Sequence, residues 1–208
     1  MRPGPRLNRQ HWEEVYGKKS PSEVSWTQAS LDPSLRRIAA ADLSPDAAII
    51  DVGGGFSPLA GELAEMGFTD ITVLDLAQAA LDAVAAGLGE RSANVRLLQA
   101  DVSAWLPDRA FALWHDRAVF HFLTDPDDRA RYRAALKSGL KPGGRLVMAT
   151  FAPDGPERCS GLPVQRWSAQ ALAAELGQGF ELIESEREEH HTPWGAVQPF
   201  TWTSFRRA

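Results

Sequence analysis

An aspartate followed by three glycines is the segment of this sequence best suited to hold a ligand. Asp51 ends a short apolar run, and Gly53, Gly54 and Gly55 come directly after it. Glycine tolerates a positive φ and lets a ligand approach the backbone without a Cβ in the way. An apolar pattern with helical spacing begins at Leu59, so the segment is typical of a buried strand, a tight turn and a helix. This combination favours a nucleotide-like cofactor over an ordinary connection.

The spacing of these glycines separates two kinds of cofactor. The dinucleotide fingerprint G-x-G-x-x-G needs a third glycine so that helix and strand can pack closely. Counted from Gly53 and Gly55, that position holds Pro58. The dinucleotide fingerprint therefore fails at this position, and an NAD-dependent reductase is a distant alternative.

Two further acids follow apolar segments in a way that fits a nucleoside. Asp75 ends the second segment, where a carboxylate can accept both hydroxyl groups of a ribose. Asp101 can accept from an adenine amino group while the Val102 N–H donates. Ligands of an open parallel sheet bind at the carboxyl ends of its strands, so these groups are expected to meet in one crevice. The alternatives are a helix-capping Asp75 and an ordinary turn at Asp101.

A fourth strand end carries the candidate catalytic residues. His115 and His121 are candidates for a general base, with Asp116 to orient the imidazole. Arg117 is a candidate for binding an anionic substrate. The structural alternative is a hydrogen-bonded turn at His115 and an ion pair between Arg117 and Asp116.

The elements that must position these residues follow from the hydrophobic pattern. Apolar runs of strand length alternate with helical spacing between residues 47 and 151, which predicts a mostly parallel sheet covered on both faces. A helix opening at Asp32 is predicted to turn Leu35, Ile38 and Ala39 inward, and residues 152–167 are predicted to form a long loop. The predicted strands are 48–52, 71–75, 95–101, 111–115, 145–151, 180–188 and 198–205.

The motifs resemble those of the class I S-adenosylmethionine (SAM) dependent methyltransferases. The segment Asp51-Val-Gly-Gly-Gly resembles their first motif, and the turn Leu140-Lys-Pro-Gly-Gly precedes the fifth strand as it does in that superfamily. The resemblance implies an α/β fold: a Rossmann-like seven-stranded, mostly parallel sheet with helices on both faces and an antiparallel last strand. It implies SAM as the cofactor and methyl transfer by in-line displacement, which the protein can promote by positioning alone. The implied cofactor-binding residues of this core are Asp51, Gly53, Gly54, Gly55, Asp75, Leu76, Asp101 and Val102.

The N-terminal segment resembles the aromatic lid of some small members, including the thiopurine and tellurite methyltransferase-like groups. Trp12, Tyr16 and Trp26 are expected to close over the cationic sulfur, which an aromatic face attracts. The alternative is that these rings only pack the first helix onto the sheet. We expect a single domain, with an N-terminal lid in 1–45, a SAM-binding core in 46–151, and an acceptor-side loop and terminal strands in 152–208.

Composition excludes several other classes of function. The formal net charge of −5 over 208 residues provides no basic surface for nucleic acid. The single cysteine, Cys159, allows no internal disulfide, and His190 and His191 lack a third ligand for a metal. The sequence has no apolar run of membrane length and no secretory signal at its start, so we expect a cytoplasmic protein. We also expect a monomer or a weak homodimer.

The expected activity is methylation of a small-molecule acceptor. The N-terminal segment is expected to close the site, and the core carries no large inserted domain that would hold a macromolecule. The alternatives are methylation of a protein side chain such as lysine, and a module that binds SAM without turnover.

Overall fold

A seven-stranded sheet forms the centre of the computed structural model, which describes residues 8–208. In chain order its strands are β1 (Ile49–Val52), β2 (Ile71–Asp75), β3 (Val95–Gln99), β4 (Phe111–Arg117), β5 (Leu140–Phe151), β8 (Phe180–His191) and β9 (Val197–Arg207). The remaining two, β6 (Arg158–Cys159) and β7 (Leu162–Pro163), form a small separate hairpin. The spatial order is β3-β2-β1-β4-β5-β9-β8, parallel from β3 to β5, with β9 antiparallel to both of its neighbours. The predicted fold class is confirmed.

Within residues 8–208 six α-helices surround the sheet, and in three of them the side chain of the N-cap residue accepts a backbone hydrogen bond. Asn8, Asp125 and Ser168 each accept a hydrogen bond from a backbone N–H in the first turn that follows. Such caps satisfy donors that have no partner within the helix. The helices are α1 (Arg9–Lys18), α2 (Asp32–Ala39), α3 (Leu59–Glu65), α4 (Gln78–Leu88), α5 (Pro126–Gly139) and α6 (Ala169–Leu176).

The hydrophobic core is divided by the sheet into two layers. Neighbouring side chains of a strand point to opposite faces, so Ile49 and Ile50 belong to different layers. On one face Ile50 packs with residues of α5 and α6, and on the other Ile49 packs with residues of α2, α3 and α4. Helices therefore cover both faces, as the sequence predicts.

Several element boundaries differ from the sequence prediction. Strand β4 continues two residues further than predicted, to Arg117, and β5 begins at Leu140 because the predicted turn is a bulge within the strand. Strands β8 and β9 pair with each other beyond their apolar stretches, as far as His191 with Val197. Backbone hydrogen bonds hold this extension, so a hydrophobic pattern could not reveal it. The predicted long loop contains the β6–β7 hairpin.

None of the helices within residues 8–208 is long and apolar enough to cross a membrane.

Candidate active site

The carboxyl ends of the central strands border an open cleft, which we call the first cavity; its volume is about 640 Å³ including the solvent space at its mouth. Gly53 follows β1, Asp75 and Leu76 lie at the end of β2, and Val102 follows β3. These residues reach one place because parallel strands end at the same edge of the sheet. The structure thus brings together four of the residues predicted to bind the cofactor.

The glycine turn between β1 and α3 has no room for side chains. Gly53 and Gly55 have φ of 70° and 53°, a region that favours glycine. A Cβ at Gly54 would clash with the Val73 side chain, and one at Gly55 would clash with the Tyr16 hydroxyl group. The Gly53 N–H donates to the Leu74 carbonyl at 2.6 Å, which fixes the turn against β2. Protein side chains therefore occupy the space that a Cβ would take, and the packing around this turn requires glycine.

Asp75 is held in place by two backbone donors. Its Oδ1 accepts from the Ala77 N–H at 2.9 Å and its Oδ2 from the Gly55 N–H at 3.0 Å. The side chain still borders the first cavity, and each carboxylate oxygen can accept a second hydrogen bond. Burial raises the pKa of Asp75 to about 6, although the two backbone hydrogen bonds act in the opposite direction. This geometry leaves free acceptor positions for a pair of hydroxyl groups.

Asp101 forms a tight turn after β3. Its Oδ1 accepts from both the N–H and the hydroxyl group of Ser103, at 2.9 and 2.7 Å. The next residue, Val102, lies against the first cavity, whereas Asp101 is not among the residues that border it. The adenine contact of Asp101 stays a prediction, and its neighbour has the better position.

Aromatic rings from α1 and the following segment cover the first cavity. Trp12, Tyr16 and Trp26 all border it, together with Phe122 from the turn after β4. The centroid of Trp12 is 5.1 Å from that of Phe122 and 5.8 Å from that of Trp26. The three predicted lid residues therefore form one cluster above the strand ends.

Helix α1 is fastened to the core at two points that the sequence analysis did not single out. Glu13 caps the start of α4, since its carboxylate accepts from the backbone N–H groups of Gln78 and Ala79 at 2.7 and 3.1 Å. His11 Nε2 lies 3.2 Å from Ser160 Oγ in the turn of the β6–β7 hairpin. We call α1 (Arg9–Lys18), held by these contacts to α4 and to the β6–β7 hairpin, the roof. Glu13 is 66 positions from Ala79 and His11 is 149 positions from Ser160, so no local sequence pattern could predict these contacts.

His115 uses both ring nitrogens within the protein. Nδ1 is 2.7 Å from Asp51 Oδ1, and Nε2 is 3.0 Å from the hydroxyl oxygen of Ser34 on α2. The side chain is buried between these partners. A general base needs a free nitrogen within reach of the proton that it removes. The predicted catalytic role of His115 remains untested, and this geometry favours a role in positioning Asp51.

Asp116 is fully buried and holds the turn that follows β4. Its carboxylate accepts from the backbone N–H groups of Val119 and Phe120 and, at 2.7 Å, from the Tyr132 hydroxyl group. The same hydroxyl oxygen accepts from Trp114 Nε1 at 3.0 Å. Burial raises the pKa of Asp116 to about 6. The predicted pairing of Asp116 with an imidazole is not formed, because the ring of His115 is bound to Asp51.

His121 is also enclosed by protein. Its Nδ1 accepts from the Phe151 N–H at 3.3 Å, and burial lowers its pKa to about 3. A base with so low a pKa is a poor match to neutral pH. Its predicted catalytic role stays a prediction that these surroundings do not favour.

Arg117 is the one predicted catalytic residue that borders the first cavity. Its Nη1 donates to the Trp26 carbonyl at 2.8 Å, and the guanidinium lies 5.0 Å from the centroid of the Phe200 ring. Burial lowers the pKa of Arg117 to about 10. The side chain remains a cation at neutral pH and is placed where it can meet a ligand.

A second cavity of about 520 Å³ lies on the other side of the glycine turn. Trp26, Gly53 and Arg117 border both cavities, so the two are neighbours. Asp51, Gly54 and His115, all predicted site residues, border the second cavity only. Gln28 lies there too, although the sequence analysis did not identify it.

The described residues offer no site for a resident metal ion. Within 8–208 there is no group of three or more histidine, cysteine, aspartate or glutamate side chains that could hold one. His190 Nε2 is instead 2.6 Å from the Ser25 carbonyl oxygen.

Comparison with a family model points to one kind of enzyme. The model described as a methyltransferase domain matches residues 49–144, from β1 into β5. This range contains the glycine turn, Asp75 and the segment after β4. The match therefore covers most of the residues that border the two cavities.

Individual proteins give the same indication. EEF1A lysine methyltransferase 2 of Homo sapiens is 24% identical over 193 residues, which cover 85% of this chain and 75% of the human protein. The chain also resembles a solved structure from work on the conversion of a disulfide bond into a thioacetal group during echinomycin biosynthesis. That likeness has a TM-score of 0.75 and 19% identity, and it covers 96% of this chain and 93% of that chain.

A further similar structure contains S-adenosylhomocysteine, the molecule that SAM becomes when it gives up its methyl group. It is the 1,6-didemethyltoxoflavin-N1-methyltransferase of Burkholderia thailandensis with bound 1,6-didemethyltoxoflavin and S-adenosylhomocysteine. The TM-score is 0.68 at 22% identity, and the likeness covers 94% of this chain and 81% of that chain.

Proposed function

This chain belongs to the class I SAM-dependent methyltransferase superfamily, and on that premise we propose that it transfers a methyl group from SAM to a small-molecule acceptor. The observation that carries the proposal is the roof over the first cavity. Glu13 and His11 fasten α1 on two sides, so the acceptor reaches the cavity beneath a closed aromatic cover. Such an enclosure suits a compact acceptor better than the side chain of a folded protein.

The proposed place of the cofactor follows from the fit of the site residues. The adenosyl group would lie in the first cavity, with its ribose at Asp75 and its adenine beside Leu76 and Val102. The free acceptor positions of Asp75 support this fit. Bound SAM would supply a methyl group on a positively charged sulfur.

The protein's own contribution is proposed to be positioning and exclusion of water. Trp12, Tyr16 and Trp26 place aromatic faces around the cavity, where a cation is attracted by about 0.5–2 kcal/mol. Alignment of the reacting atoms is worth up to about 7–11 kcal/mol. Neither contribution requires a catalytic base.

Proton transfer is proposed to have no part in the reaction inside the first cavity. Asp75 borders the cavity but is proposed to be occupied by the ribose, and Arg117 remains a cation. Of the other titratable groups there, burial raises the pKa of Tyr16 well above its usual value and that of Cys159 to about 11. Both are therefore protonated at neutral pH. The acceptor atom should then be one that carries a free lone pair when it binds, such as an unprotonated nitrogen or a thiolate sulfur.

Methylation of a protein lysine is a second candidate function. It is supported by the likeness to the human lysine methyltransferase, which extends over 85% of this chain. This candidate requires the roof to open far enough to admit a side chain of a folded partner.

A labelling experiment with cell lysate separates the candidates. The protein is incubated with SAM labelled in its methyl group and the lysate, and macromolecules are then separated from small molecules. We expect label in the small-molecule fraction. Label retained on protein would favour lysine methylation. Absence of any labelled product, together with binding of S-adenosylhomocysteine, would indicate a module without turnover.

A further inference from the structure

The guanidinium of Arg117 has one edge without a partner. Its Nη1 donates to the Trp26 carbonyl at 2.8 Å, and its central carbon lies 5.0 Å from the centroid of the Phe200 ring. The other two nitrogens, Nε and Nη2, are buried and find no acceptor among residues 8–208. Because Trp26 and Phe200 fix the orientation of the guanidinium, the edge formed by Nε and Nη2 has a defined position. We call this edge of Arg117 the open edge.

The geometry of the open edge matches a carboxylate. The N–H bonds on Nε and Nη2 run parallel, so they can donate to the two oxygens of one carboxylate. A buried donor without an acceptor costs free energy, and the cost is greater when the group is charged. No carboxylate of the described chain accepts from these two atoms. A ligand with a carboxylate would supply both missing acceptors.

Arg117 borders the first cavity, which is proposed to hold a second positive charge. That charge is the sulfonium of bound SAM. Two cations repel each other more strongly in a buried site than in water. Among the described residues around this cavity, the one carboxylate is that of Asp75, which is proposed to bind the ribose. A negatively charged acceptor would therefore relieve the repulsion, whereas an alkylammonium group would add to it.

The remaining surface of the first cavity favours an aromatic acceptor. Trp12, Trp26 and Phe122 border the cavity with their rings, and alanine, leucine and valine side chains make up most of the rest. A planar ring can contact such aromatic groups in offset or edge-on geometry. An aromatic enclosure with one cation at its wall is complementary to an aromatic molecule that carries one negative charge.

We propose that the acceptor is an aromatic carboxylic acid whose carboxylate binds the open edge of Arg117, while a nitrogen or sulfur elsewhere on the molecule receives the methyl group. The inference rests on the proposed transfer of a methyl group to a small molecule. A lone pair of that nitrogen or thiolate forms the bond to the methyl carbon, and the carbon–sulfur bond of SAM breaks with its electron pair kept by sulfur. A thiolate becomes a neutral thioether, and an N–H nitrogen then releases its proton to water. The carboxylate is an anchor and not the nucleophile, because both of its oxygens accept from Arg117.

The first test detects a carboxyl group on the product before the acceptor is identified. The full chain is incubated with SAM labelled in its methyl group and the small-molecule fraction of a cell lysate, and the labelled product is isolated. Acidic deuterated methanol converts a free carboxylic acid into a deuterated methyl ester. We expect mass spectrometry to show this ester on the product, and we expect mild base to leave the transferred label in place.

The second test measures the contribution of Arg117. Arg117→Lys keeps the positive charge but loses the pair of parallel donors. We expect it to raise the amount of lysate fraction needed for half-maximal labelling about 10- to 100-fold, which corresponds to one hydrogen bond to a charged group. Its affinity for S-adenosylhomocysteine, measured by titration calorimetry, should stay within about 2-fold of that of the unaltered protein.

Arg96→Lys is the matched control for this variant. Arg96 lies on β3, pairs with Asp108 at 3.3 Å and borders neither cavity. Its substitution should change neither measured quantity. Circular dichroism verifies that each variant is folded.

The outcomes distinguish failure of the carboxylate anchor from failure of the proposed function. A small-molecule product that has no carboxyl group, or that loses its label in mild base, overturns the anchor and leaves the proposed function intact. The anchor is also overturned if Arg117→Lys changes nothing, or if it weakens S-adenosylhomocysteine as much as it impairs labelling. Label on protein, or no labelled product at all, overturns the proposed function and the inference with it.

Discussion

The buried Asp75 carboxyl group is proposed to bind the ribose in its ionised form. It is 5% exposed and its pKa is raised to about 6, whereas the ribose hydroxyl groups would donate to the ionised form. A proton on Asp75 therefore competes with the ligand. We predict that affinity for S-adenosylhomocysteine falls as pH drops through about 6, approaching about 10-fold per pH unit below it. Titration calorimetry between pH 5 and 8 measures this.

The matched variant for this prediction is Asp75→Asn. It keeps the shape of the side chain but has no charge to lose, so its affinity should be lower at pH 8 by about 10- to 100-fold. Below pH 6 it should approach that of the unaltered protein. A variant as tight as the original at pH 8 would remove the ribose assignment.

The Tyr132 hydroxyl group joins two buried polar side chains. It donates to Asp116 Oδ2 at 2.7 Å and accepts from Trp114 Nε1 at 3.0 Å. Tyr132→Phe would leave Trp114 Nε1 and Asp116 Oδ2 without a partner, although Asp116 Oδ1 keeps its two backbone donors. We predict a loss of about 2–6 kcal/mol in the free energy of unfolding, from two buried groups at about 1–3 kcal/mol each. Urea denaturation measures it, and a loss below about 1 kcal/mol would show that water replaces the hydroxyl.

Residues of the site differ in how far the sequence could identify them. Asp75 and Gly53 were found because their positions at strand ends are local features of the sequence. Gln28 and Glu13 were not, since each matters only through contacts with distant parts of the chain. Arg117 was predicted from its position at the end of β4, and only the folded structure shows that its side chain borders a cavity and that two of its donors have no partner among residues 8–208.

At the scale of elements, helix α1 depends on the cap that Glu13 gives to α4. That cap accepts two backbone N–H groups, and α4 has no side-chain cap of its own. We predict that Glu13→Ala weakens binding of S-adenosylhomocysteine about 5- to 30-fold, the equivalent of about 1–2 kcal/mol for a lost cap. It should also speed proteolytic cleavage near α1. Calorimetry and limited proteolysis provide the two measurements.

The neighbouring residue supplies a control for that experiment. Glu14 lies on the same helix but is exposed and contacts only Gln10 and Lys18. Glu14→Ala should therefore leave affinity and cleavage unchanged. Equal effects of the two substitutions would contradict a specific role for the cap.

Helix α2 shows where hydrophobicity alone misleads. Leu35, Ile38 and Ala39 were predicted to face inward; Ile38 is buried and Leu35 packs half-buried against the core, but Ala39 is exposed. Ser34 and Arg37 are buried beside Ile38. Ser34 lies within hydrogen-bond distance of His115, and Arg37 pairs with Glu186 at 2.6 Å. Polar groups with partners can replace apolar ones on a buried face. Their partners lie far along the chain, so the helical pattern could not reveal them.

For the whole molecule, ligand binding should appear as thermal stability. A ligand that binds only the folded state adds about 2.7 kcal/mol at 100 times its Kd. For a protein of 208 residues we expect S-adenosylhomocysteine to raise Tm by about 5–10 °C at that concentration. Differential scanning calorimetry measures the shift. NAD⁺ at the same concentration should give none, and a shift with NAD⁺ alone would contradict the choice of cofactor.

The overall architecture was predictable to different degrees. Alternation of apolar runs with helical spacing is enough to predict a parallel sheet between two helical layers, and β1 to β5 confirm it. The antiparallel direction of β9 was implied only by the resemblance to known methyltransferases. Strand pairing joins residues such as Ala149 and Trp202, and one sequence does not show which distant segments meet.

The two fastenings of the roof have a consequence for turnover. Helix α1 is tied to α4 by Glu13 and to the β6–β7 hairpin by His11, and we predict that the spent nucleoside leaves when these two contacts break. Departure of the product would then limit the cycle, whatever the reactivity of the nucleophile. Under such gating, kcat falls as solvent viscosity rises, and acceptors of very different intrinsic reactivity share one maximal rate.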